Sequence, residues 1–496
     1  MNAMLVAFAM SASCSAGAQA SVSFHVAARP AAIRAIAPGF VGMAFEYKSI
    51  PELIRSGAPD PVLVQLIRNL DPSARPVLRV GGLSTDHTWW PVRGVKQPLG
   101  ISYSLSPRWM ADARALARAT DAQMIFGVGL QANQPVIDAV EADQLLSGVG
   151  RRYIEAMEIG NEPDLYTSLA WYRVLGGKPI PWYEPDGTSV FARAPGYGPA
   201  DFLSDFARAE KTMPDVPLAG PETGSGPWMS AFSGLVSPRS KVRILTSHAY
   251  GLNQCVTDPS APAYPSVPHL LAATASRGIF GGLGPYIALA HRDGAAFRFD
   301  EMGSVSCNGR AGVSDTLASA LWVLDALFAA AATGADGVNL HTFPGSLDQL
   351  FDVRRAGGHW VASVSPLYYG ALMFAQAAPA GARILPVSSG DPGAVRGWAT
   401  RAPDGTIRVL LINDGLVLAA NATVAVDGGR GPGALERLRA ASAYATRGVT
   451  LGGQSFGAGT TTGVLRAPVP QSVRPRGGRY AFSVPPGSAA LLTLPG

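Results

Sequence analysis

Cysteine and charged side chains are both scarce in this chain of 496 residues. Three cysteines are too few for a fold that depends on a disulfide framework, and 47% hydrophobic against 15% charged residues excludes extensive disorder. The formal net charge of +5 comes from Lys and Arg residues spread along the sequence without a basic helix, so nucleic-acid binding is not expected. Length and composition predict a globular protein with one large domain and a smaller one.

Long apolar runs are also lacking after the first twenty residues. Residues 3–20 resemble the apolar region and small-residue cleavage site of a secretory signal, with the cut at Ala-Gln-Ala, residues 18–20. We therefore predict a signal peptide over residues 1–20 and a secreted or periplasmic protein. The most apolar later segment, residues 317–332, contains Asp325 and is predicted to be an amphipathic core helix, so no membrane span is predicted.

A short apolar run that ends in polar residues and is followed by helix-forming sequence recurs eight times. Helical candidates with apolar residues at three- and four-residue spacing, such as 107–120 and 314–333, separate the runs. Alternation of strand and helix favours parallel strands, and eight repeats predict a (β/α)8 TIM barrel over residues 37–378. The runs are residues 40–47, 77–82, 124–130, 157–162, 217–222, 242–250, 296–301 and 337–343.

After about residue 380 the pattern changes to short alternating runs separated by Gly, Pro and Asp-Gly turns. Such runs predict an all-β sandwich domain over residues 379–496. Residues 22–26 alternate in the same way, so the segment 21–36 is expected to supply a strand to this sandwich.

Two glutamates stand where barrel strands are expected to end. Glu162 precedes Pro163, which cannot donate to a sheet ladder, so the fourth strand should stop there, and Glu301 closes the seventh run. Active groups of TIM barrels lie at the C-terminal ends of the strands. Two carboxylates about 5–5.5 Å apart suit glycoside hydrolysis with retention, in which one attacks the anomeric carbon while the other protonates the leaving oxygen.

Four motifs place these glutamates in a wider pattern. They read VLRVGGLSTD at 77–86, MEIGNEP at 157–163, TSHAY at 246–250 and DEMGS at 300–304. Together, and in this order, they resemble the motifs of glycoside hydrolase family 79, the β-glucuronidase and heparanase family of clan A. The resemblance covers the whole barrel and implies a retaining hydrolase of β-linked glucuronic acid, with Glu162 as acid/base and Glu301 as nucleophile.

Two more side chains take roles from the resemblance. It implies that Asn161 hydrogen-bonds the sugar 2-hydroxyl and that Tyr250 holds the nucleophile. Arg79, on the second strand, is expected to pair with Glu301 or with Glu158, for function or for structure alone.

Other candidates follow from their places at strand ends. Glu46 and Asp86 are candidates for binding sugar hydroxyls, although acids at strand ends also cap helices. His248 and His341 are predicted to be packed histidines. No two histidines have metal-site spacing, so neither a metal nor another cofactor is expected.

Two cysteines remain beyond the predicted signal. Cys255 and Cys307 each follow a proposed catalytic strand by a few residues, so export predicts a disulfide between them, with free thiols as the alternative.

The substrate prediction depends on two loops. In the family that the chain resembles, backbone N–H groups after the nucleophile and a tyrosine after strand 8 bind the sugar carboxylate. Here Cys307 and Asn308 replace glycines of the first loop, which leaves Asn308 as a candidate substrate-binding residue. The second loop, 344–351, has no tyrosine and carries Asp348, an acid expected to repel a uronate.

Two alternatives to a glucuronide hydrolase stay open. One is a retaining β-glycosidase for a neutral sugar on the same barrel, and the other is a non-catalytic carbohydrate-binding protein. The insertion 171–199 after the fourth strand is rich in Pro, Gly and aromatic residues, and it would favour exo action if it walls off the cleft.

Overall fold

The computed structural model describes residues 20–31, 33–54, 57–224, 226–237, 239–390 and 393–496. Residues 1–19 of the predicted signal peptide lie outside the described residues, so the signal and the export that it implies stay predictions. Within the described ranges, no helix is both long enough and apolar enough to cross a membrane.

Eight parallel strands close into a barrel in which the eighth strand pairs with the first. Their residues are buried almost throughout, as expected for parallel strands that are covered by helices on the outside. This barrel confirms the predicted fold class. Barrel strands 1 to 8 are Val41–Glu46, Val77–Gly81, Gln123–Val128, Ile154–Ile159, Leu218–Thr223, Val242–Asn253, Ala296–Ser306 and Gly337–His341.

Local caps start two of the helices that surround the barrel. Asp60 accepts a hydrogen bond from the N–H of Val62, and Ser106 accepts one from the N–H of Trp109. In both helices the next residue is a proline, whose missing N–H costs no intrahelical bond. The α-helices of the described residues are Ser49–Leu53, Pro61–Arg68, Pro107–Thr120, Pro135–Leu145, Pro199–Glu210, Ser230–Leu235, Val267–Leu270, Ala273–Ser276, Gly284–Arg292, Leu317–Thr333 and Pro366–Ala377.

Helix Leu317–Thr333 is buried on every face except at its last two residues, so the prediction of an amphipathic helix is wrong. Helix Pro366–Ala377 and the sandwich cover the side that solvent would otherwise meet. Asp325, its one charged residue, accepts a hydrogen bond of 2.7 Å from Trp398 Nε1 and pairs with Arg396, and both partners belong to the sandwich. The barrel and the sandwich are therefore joined by a buried polar contact.

The C-terminal part folds as two packed sheets around a common apolar core. The N-terminal strand Ala20–Val26 lies in the smaller sheet, parallel to Ala420–Val426. Its Val22, Phe24 and Val26 enter the core, as the alternation requires. The other strands of the two sheets are Arg383–Leu385, Val387–Ser389, Val395–Arg401, Ile407–Asn413, Gly433–Arg439, Thr450–Leu451, Gln471–Val473, Arg479–Val484 and Ser488–Leu494.

Three smaller strand pairs or sheets lie outside these two layers. The insertion after barrel strand 4 contains a three-stranded antiparallel sheet of Tyr172–Leu175, Lys178–Ile180 and Thr188–Val190. A strand pair of Thr88–Trp89 and Tyr103–Ser104 follows barrel strand 2, and a hairpin of Phe351–Ala356 and His359–Val364 follows barrel strand 8.

Candidate active site

A cavity of about 700 Å³ opens at the C-terminal face of the barrel, and both Glu162 and Glu301 line it. We call it the catalytic cavity. Glu162 follows barrel strand 4 with a left-handed backbone (φ 47°), which turns the chain out of the strand. Barrel strand 7 does not end at Glu301, as the sequence predicted, but continues to Ser306. Its pairing with both neighbouring strands is irregular just around Glu301, and such bulges re-aim side chains toward a site.

The two carboxylates are close together. One oxygen of Glu162, one oxygen of Glu301 and a ring nitrogen of His248 all lie within 4.8 Å of one another. Retaining glycosidases hold their carboxyl groups about 5–5.5 Å apart, whereas inverting enzymes need about 6.5–9.5 Å to admit a water molecule. The Glu162 side chain is 20% exposed and that of Glu301 only 7%. The arrangement therefore suits direct attack by the buried group and proton transfer by the more exposed one.

Glu301 is held as an ion by several cationic and hydrogen-bonding groups. Its Oε2 accepts from Arg79 Nη1 at 2.6 Å, and its Oε1 accepts from the Tyr250 hydroxyl at 2.6 Å. His341 Nδ1 lies 3.4 Å from the same Oε1. Although burial opposes the effect, the charges of His341, His248 and Arg79 hold the pKa of Glu301 well below its usual range. A carboxylate in this setting is ionised at neutral pH.

Arg79 is completely buried and binds both of the partners predicted for it. Besides Glu301, it donates to Glu158 at 2.8 Å, to Glu222 at 2.7 Å and to Asn161 Oδ1 at 2.9 Å. A buried charge is strongly unfavourable unless it is paired and hydrogen-bonded, which this arrangement achieves.

The buried acids around Arg79 differ in their protonation. Although burial opposes it, the charge of Arg79 and the hydrogen bond with His248 lower the pKa of Glu222 to about 2. Burial, against the pull of Arg79, raises the pKa of Glu158 to about 7. Burial and the nearby charges of Glu222 and Glu158 also raise the pKa of Asp300, which favours its neutral form. Because their pKa values shift in opposite directions, these three acids do not all favour the ionised form, which limits the negative charge in the barrel interior.

Of the two histidines predicted to be packed, His248 is buried and the His341 side chain is 14% exposed, and the polar neighbours of each include one of the two candidate catalytic glutamates. His248 Nδ1 lies 3.0 Å from Glu162 Oε1, and its Nε2 lies 3.3 Å from Glu222 Oε2. Although burial opposes it, Glu301 and these two hydrogen bonds hold the pKa of His248 well above its usual value. His248 thus bridges Glu162 and Glu222 through its two ring nitrogens, and these carboxylates favour its protonated form.

His341 acts on the other side of the site. Its Nδ1 lies 2.8 Å from the Tyr250 hydroxyl oxygen, and its Nε2 lies 3.3 Å from Glu46 Oε1. Against the effect of burial, the Glu301 charge raises the pKa of His341. The Tyr250 hydroxyl, which donates to Glu301, therefore also contacts the His341 ring. The places of both histidines at the C-terminal ends of barrel strands were the sequence signal for these roles.

One further acid was missed in the sequence. Asp164 lines the catalytic cavity two residues after Glu162. Burial and the nearby charge of Glu162 raise the pKa of Asp164 to about 6. Its short distance in sequence from the Asn-Glu-Pro element was the available signal.

Asp86 is not among the residues that line the catalytic cavity, so its role as a binder of sugar hydroxyls stays a prediction. Its Oδ1 accepts from the N–H groups of Leu130 and Gln131, and its Oδ2 accepts from the N–H of Asn161 and the hydroxyl of Tyr166. The side chain is buried with its acceptors occupied. Asp86 thus fixes the backbone at the ends of barrel strands 3 and 4.

The other predicted binding residues lie at or near the cavity. Glu46 and Asn308 both line it. Glu46 Oε2 accepts from the Ser84 N–H at 2.9 Å. Asn161 is buried beside the cavity, with its carbonyl oxygen on Arg79.

The predicted Cys255–Cys307 disulfide is absent, and both residues are free thiols at the mouth of the cavity. Their sulfur atoms lie 3.9 Å apart, whereas a disulfide bond measures about 2.05 Å. Partial burial and the neighbouring Cys255 raise the pKa of the Cys307 thiol to about 11, and the protonated thiol is a poor nucleophile for disulfide formation.

The expected absence of a metal stays a prediction. Glu162, His248 and Glu301 are close enough to hold an ion, and so are Glu222, His248 and Asp300. Both groups share His248, whose two ring nitrogens are already hydrogen-bonded to Glu162 and Glu222. The residues present therefore fit an ion-pair network better than a metal centre.

Comparison with known proteins places the fold among glycoside hydrolases. No family model matches the sequence, and no curated protein matches it. Solved structures match 95–96% of this chain, and the three described below are glycoside hydrolases by name. At identities of 14–19%, this likeness establishes the architecture.

Three of these structures are the following. A 4-O-α-L-rhamnosyl-β-D-glucuronidase from Fusarium oxysporum 12S is 19% identical over 95% of this chain and 100% of its own, with a TM-score of 0.73. A family 51 arabinofuranosidase from Xanthomonas axonopodis pv. citri is 15% identical over 96% and 99%, with a TM-score of 0.65. The bifunctional glucanase-xylanase CelM2 from a metagenome library is 14% identical over 96% and 100%, with a TM-score of 0.60.

Proposed function

We propose that this protein is a retaining glycoside hydrolase with Glu301 as nucleophile and Glu162 as acid/base. The observation that carries the proposal is the pair itself, two carboxylates with oxygens within 4.8 Å at the C-terminal face of the barrel. Their environments differ as the two roles require. Glu301 is buried among cationic groups, and Glu162 reaches solvent in the cavity.

In the first step, a carboxylate oxygen of Glu301 attacks the anomeric carbon while the bond to the glycosidic oxygen breaks. Glu162 gives its proton to that oxygen, so the leaving group departs neutral. Arg79 and Tyr250 hold Glu301 in place through their 2.6 Å hydrogen bonds. Since the resulting ester is uncharged, glycosylation removes one of the negative charges that surround His248.

In the second step, water attacks the same carbon and the Glu301 ester bond breaks. Glu162, now a carboxylate, takes the proton from the water, and Glu301 leaves with its negative charge restored. Two inversions at one carbon retain its configuration. The donors on Glu301 stabilise the charge that returns in this step.

The substrate that we propose is a β-linked glucuronide, on the strength of the four sequence motifs and of the similar glucuronidase structure. Two details of the loops support a bound carboxylate. Asn308 lines the catalytic cavity, and its N–H has no acceptor among the described residues. Asp348, expected to repel a uronate, is instead buried and accepts from the N–H groups of Ser304 and Val305.

A neutral β-linked sugar is the second candidate substrate. Among the described residues that line the catalytic cavity there is no Lys or Arg, and the loop after barrel strand 8 has no tyrosine. The cavity would then bind hydroxyl groups alone.

Paired chromogenic substrates separate these possibilities. We expect release from an aryl β-glucuronide, a loss of about 10²–10⁴-fold in Glu162→Gln and at least as great a loss in Glu301→Gln. Glu184→Gln, which changes an exposed glutamate of the insertion, is the matched control and should keep full activity. Release from an aryl β-glucoside alone would favour the neutral sugar, and release from neither would favour a non-catalytic carbohydrate-binding protein.

A further inference from the structure

Four arginines line a cavity of about 480 Å³ that shares no residue with the catalytic cavity. We call it the arginine cavity. Arg114 and Arg118 come from helix Pro107–Thr120, and Arg151 and Arg152 come from the segment just before barrel strand 4. No Asp or Glu is among the described residues that line this space. The arginine cavity therefore has an unbalanced positive charge.

The arginine cavity lies at the N-terminal face of the barrel. Helix Pro107–Thr120 leads to barrel strand 3, so Arg118, in its last turn, is close to the start of that strand. Arg151 and Arg152 lie just before the start of barrel strand 4. The starts of parallel strands share one face of a barrel, and the catalytic cavity opens at the other.

None of the four guanidinium groups makes an ion pair with a described residue. Four like charges around one space repel one another, which lowers stability unless an anion compensates them. A cation in the last turn of a helix is stabilised by the helix dipole, which accounts for Arg118. It does not account for Arg151 and Arg152, which belong to a different segment. The cluster therefore fits an anionic ligand better than a purely local role.

Two of the arginines are held in place by the fold. Arg114 donates to the carbonyl oxygens of Ser147 at 2.8 Å and Val149 at 3.1 Å. The guanidinium carbon of Arg152 lies 4.5 Å from the ring centroid of Tyr153. Donors that are already fixed reduce the entropy that a ligand loses on binding.

The other two arginines are available to a ligand. The Arg118 and Arg151 side chains are exposed and donate to no described residue. A guanidinium group presents two parallel N–H donors that match the two oxygens of a carboxylate. Both side chains can therefore bind carboxylate groups without giving up a contact within the protein.

An apolar groove of about 790 Å³ extends the arginine cavity. The two spaces share Arg114 and Arg118, which are the only charged residues among the described lining of the groove. Trp90 and Met110 form part of its wall. An indole ring offers a flat apolar surface that suits the C–H face of a sugar. The combined lining thus fits a chain of sugars that carry acidic groups.

We propose that the arginine cavity binds a chain of acidic sugars and thereby holds the protein on an anionic polysaccharide. The choice of a glycan rests on the proposed function, whereas the choice of an anion rests on the four arginines. No bond forms or breaks at this face. A polymer held there raises the local concentration of its glycosidic bonds around the catalytic cavity.

Binding of one acidic and one neutral chain tests this proposal. The probes are a short β-1,4-linked oligosaccharide of glucuronic acid and the glucose oligosaccharide of the same length. Calorimetry is done with Glu301→Gln, so that neither chain is cleaved. We expect tighter binding of the acidic chain, with an affinity that falls as salt is added. Equal affinity for the two chains would overturn the proposal.

A pair of double variants then addresses the cavity itself. In the same background, Arg118→Gln with Arg151→Gln should raise the Kd of the acidic chain about 2- to 30-fold, the range for the loss of two surface ion pairs. Arg474→Gln with Arg476→Gln removes the same charge from exposed positions of the C-terminal part and should leave Kd unchanged. An equal rise in both double variants would indicate general charge attraction and overturn the site, and so would no rise in either.

The outcomes are distinguishable from failure of the proposed function. With Glu301 intact, both double variants should hydrolyse a small aryl β-glucuronide with the wild-type kcat/KM, because that substrate occupies the catalytic cavity alone. If no aryl glycoside is hydrolysed but binding of the acidic chain still depends on Arg118 and Arg151, the hydrolase proposal fails and the anion site stands. A DNA duplex that binds through these arginines more tightly than the acidic chain would overturn the choice of a glycan.

Discussion

Replacing Tyr250 with Phe removes one hydroxyl group from the candidate nucleophile and little else. That hydroxyl donates to Glu301 Oε1 at 2.6 Å and lies 2.8 Å from His341 Nδ1. A hydrogen bond to a charged group contributes about 1.5–3 kcal/mol. When Glu301 leaves the glycosyl-enzyme its charge returns, so the loss falls mainly on the second step. At 1.36 kcal/mol per tenfold, we expect kcat to fall about 10- to 150-fold.

A slower second step has a distinct kinetic signature. Tyr250→Phe should release a burst of aryl alcohol equal to the enzyme present, followed by a slow steady state, and intact-protein mass spectrometry should show one sugar attached. Tyr444 is an exposed tyrosine, so Tyr444→Phe is the matched control and should behave as wild type. A variant with full kcat, or one slowed without a burst or an adduct, would refute the role given to Tyr250.

Three further predictions concern individual acids. Glu162→Ala should lose more activity on substrates with poor leaving groups than on activated aryl glycosides. Added azide should restore part of the rate, because it attacks the intermediate without a general base. A loss of activity that does not depend on the leaving group would contradict the role of Glu162 as acid. Asp86→Asn should lower the free energy of unfolding by about 1–3 kcal/mol for each backbone N–H left without an acceptor, and it should leave KM nearly unchanged. A large rise in KM without a loss of stability would instead indicate that Asp86 binds substrate. Burial and then the Asp86 charge raise the pKa of Glu141 to about 8, so this group ionises in the unfolded chain first and the free energy of unfolding falls as pH rises from about 4.5 to 8. Denaturant titration should find Glu141→Gln more stable than wild type by about 2–4 kcal/mol at pH 8 and equally stable at pH 4. An equal difference at both pH values would contradict this prediction.

The features that could be predicted from the sequence are local ones. Buried parallel strands read as continuous apolar runs, and eight of them alternating with helices leave few choices of fold. Glu162 is marked by Pro163, which cannot continue a sheet ladder, so a short motif was enough to place it just beyond barrel strand 4, which ends at Ile159.

The features that could not be predicted depend on contacts between distant segments. His248 meets Glu162 across 86 residues of sequence, because the barrel closes and the pairing around Glu301 is irregular. Asp86 resembles a site acid in sequence, yet its carboxylate accepts from the backbone at the ends of two neighbouring strands. Helix Leu317–Thr333 has no local signal for the sandwich that covers its outer face.

The stereochemistry of the first product tests the central claim most directly. Hydrolysis of an aryl β-glycoside that the protein accepts can be followed by ¹H NMR, before the released sugar interconverts between its anomers. Two displacements at one carbon, with Glu301 as nucleophile, predict that the β-anomer appears first. Initial appearance of the α-anomer would mean a single displacement by water, which the close Glu162 and Glu301 carboxylates leave no room for, and would contradict the account.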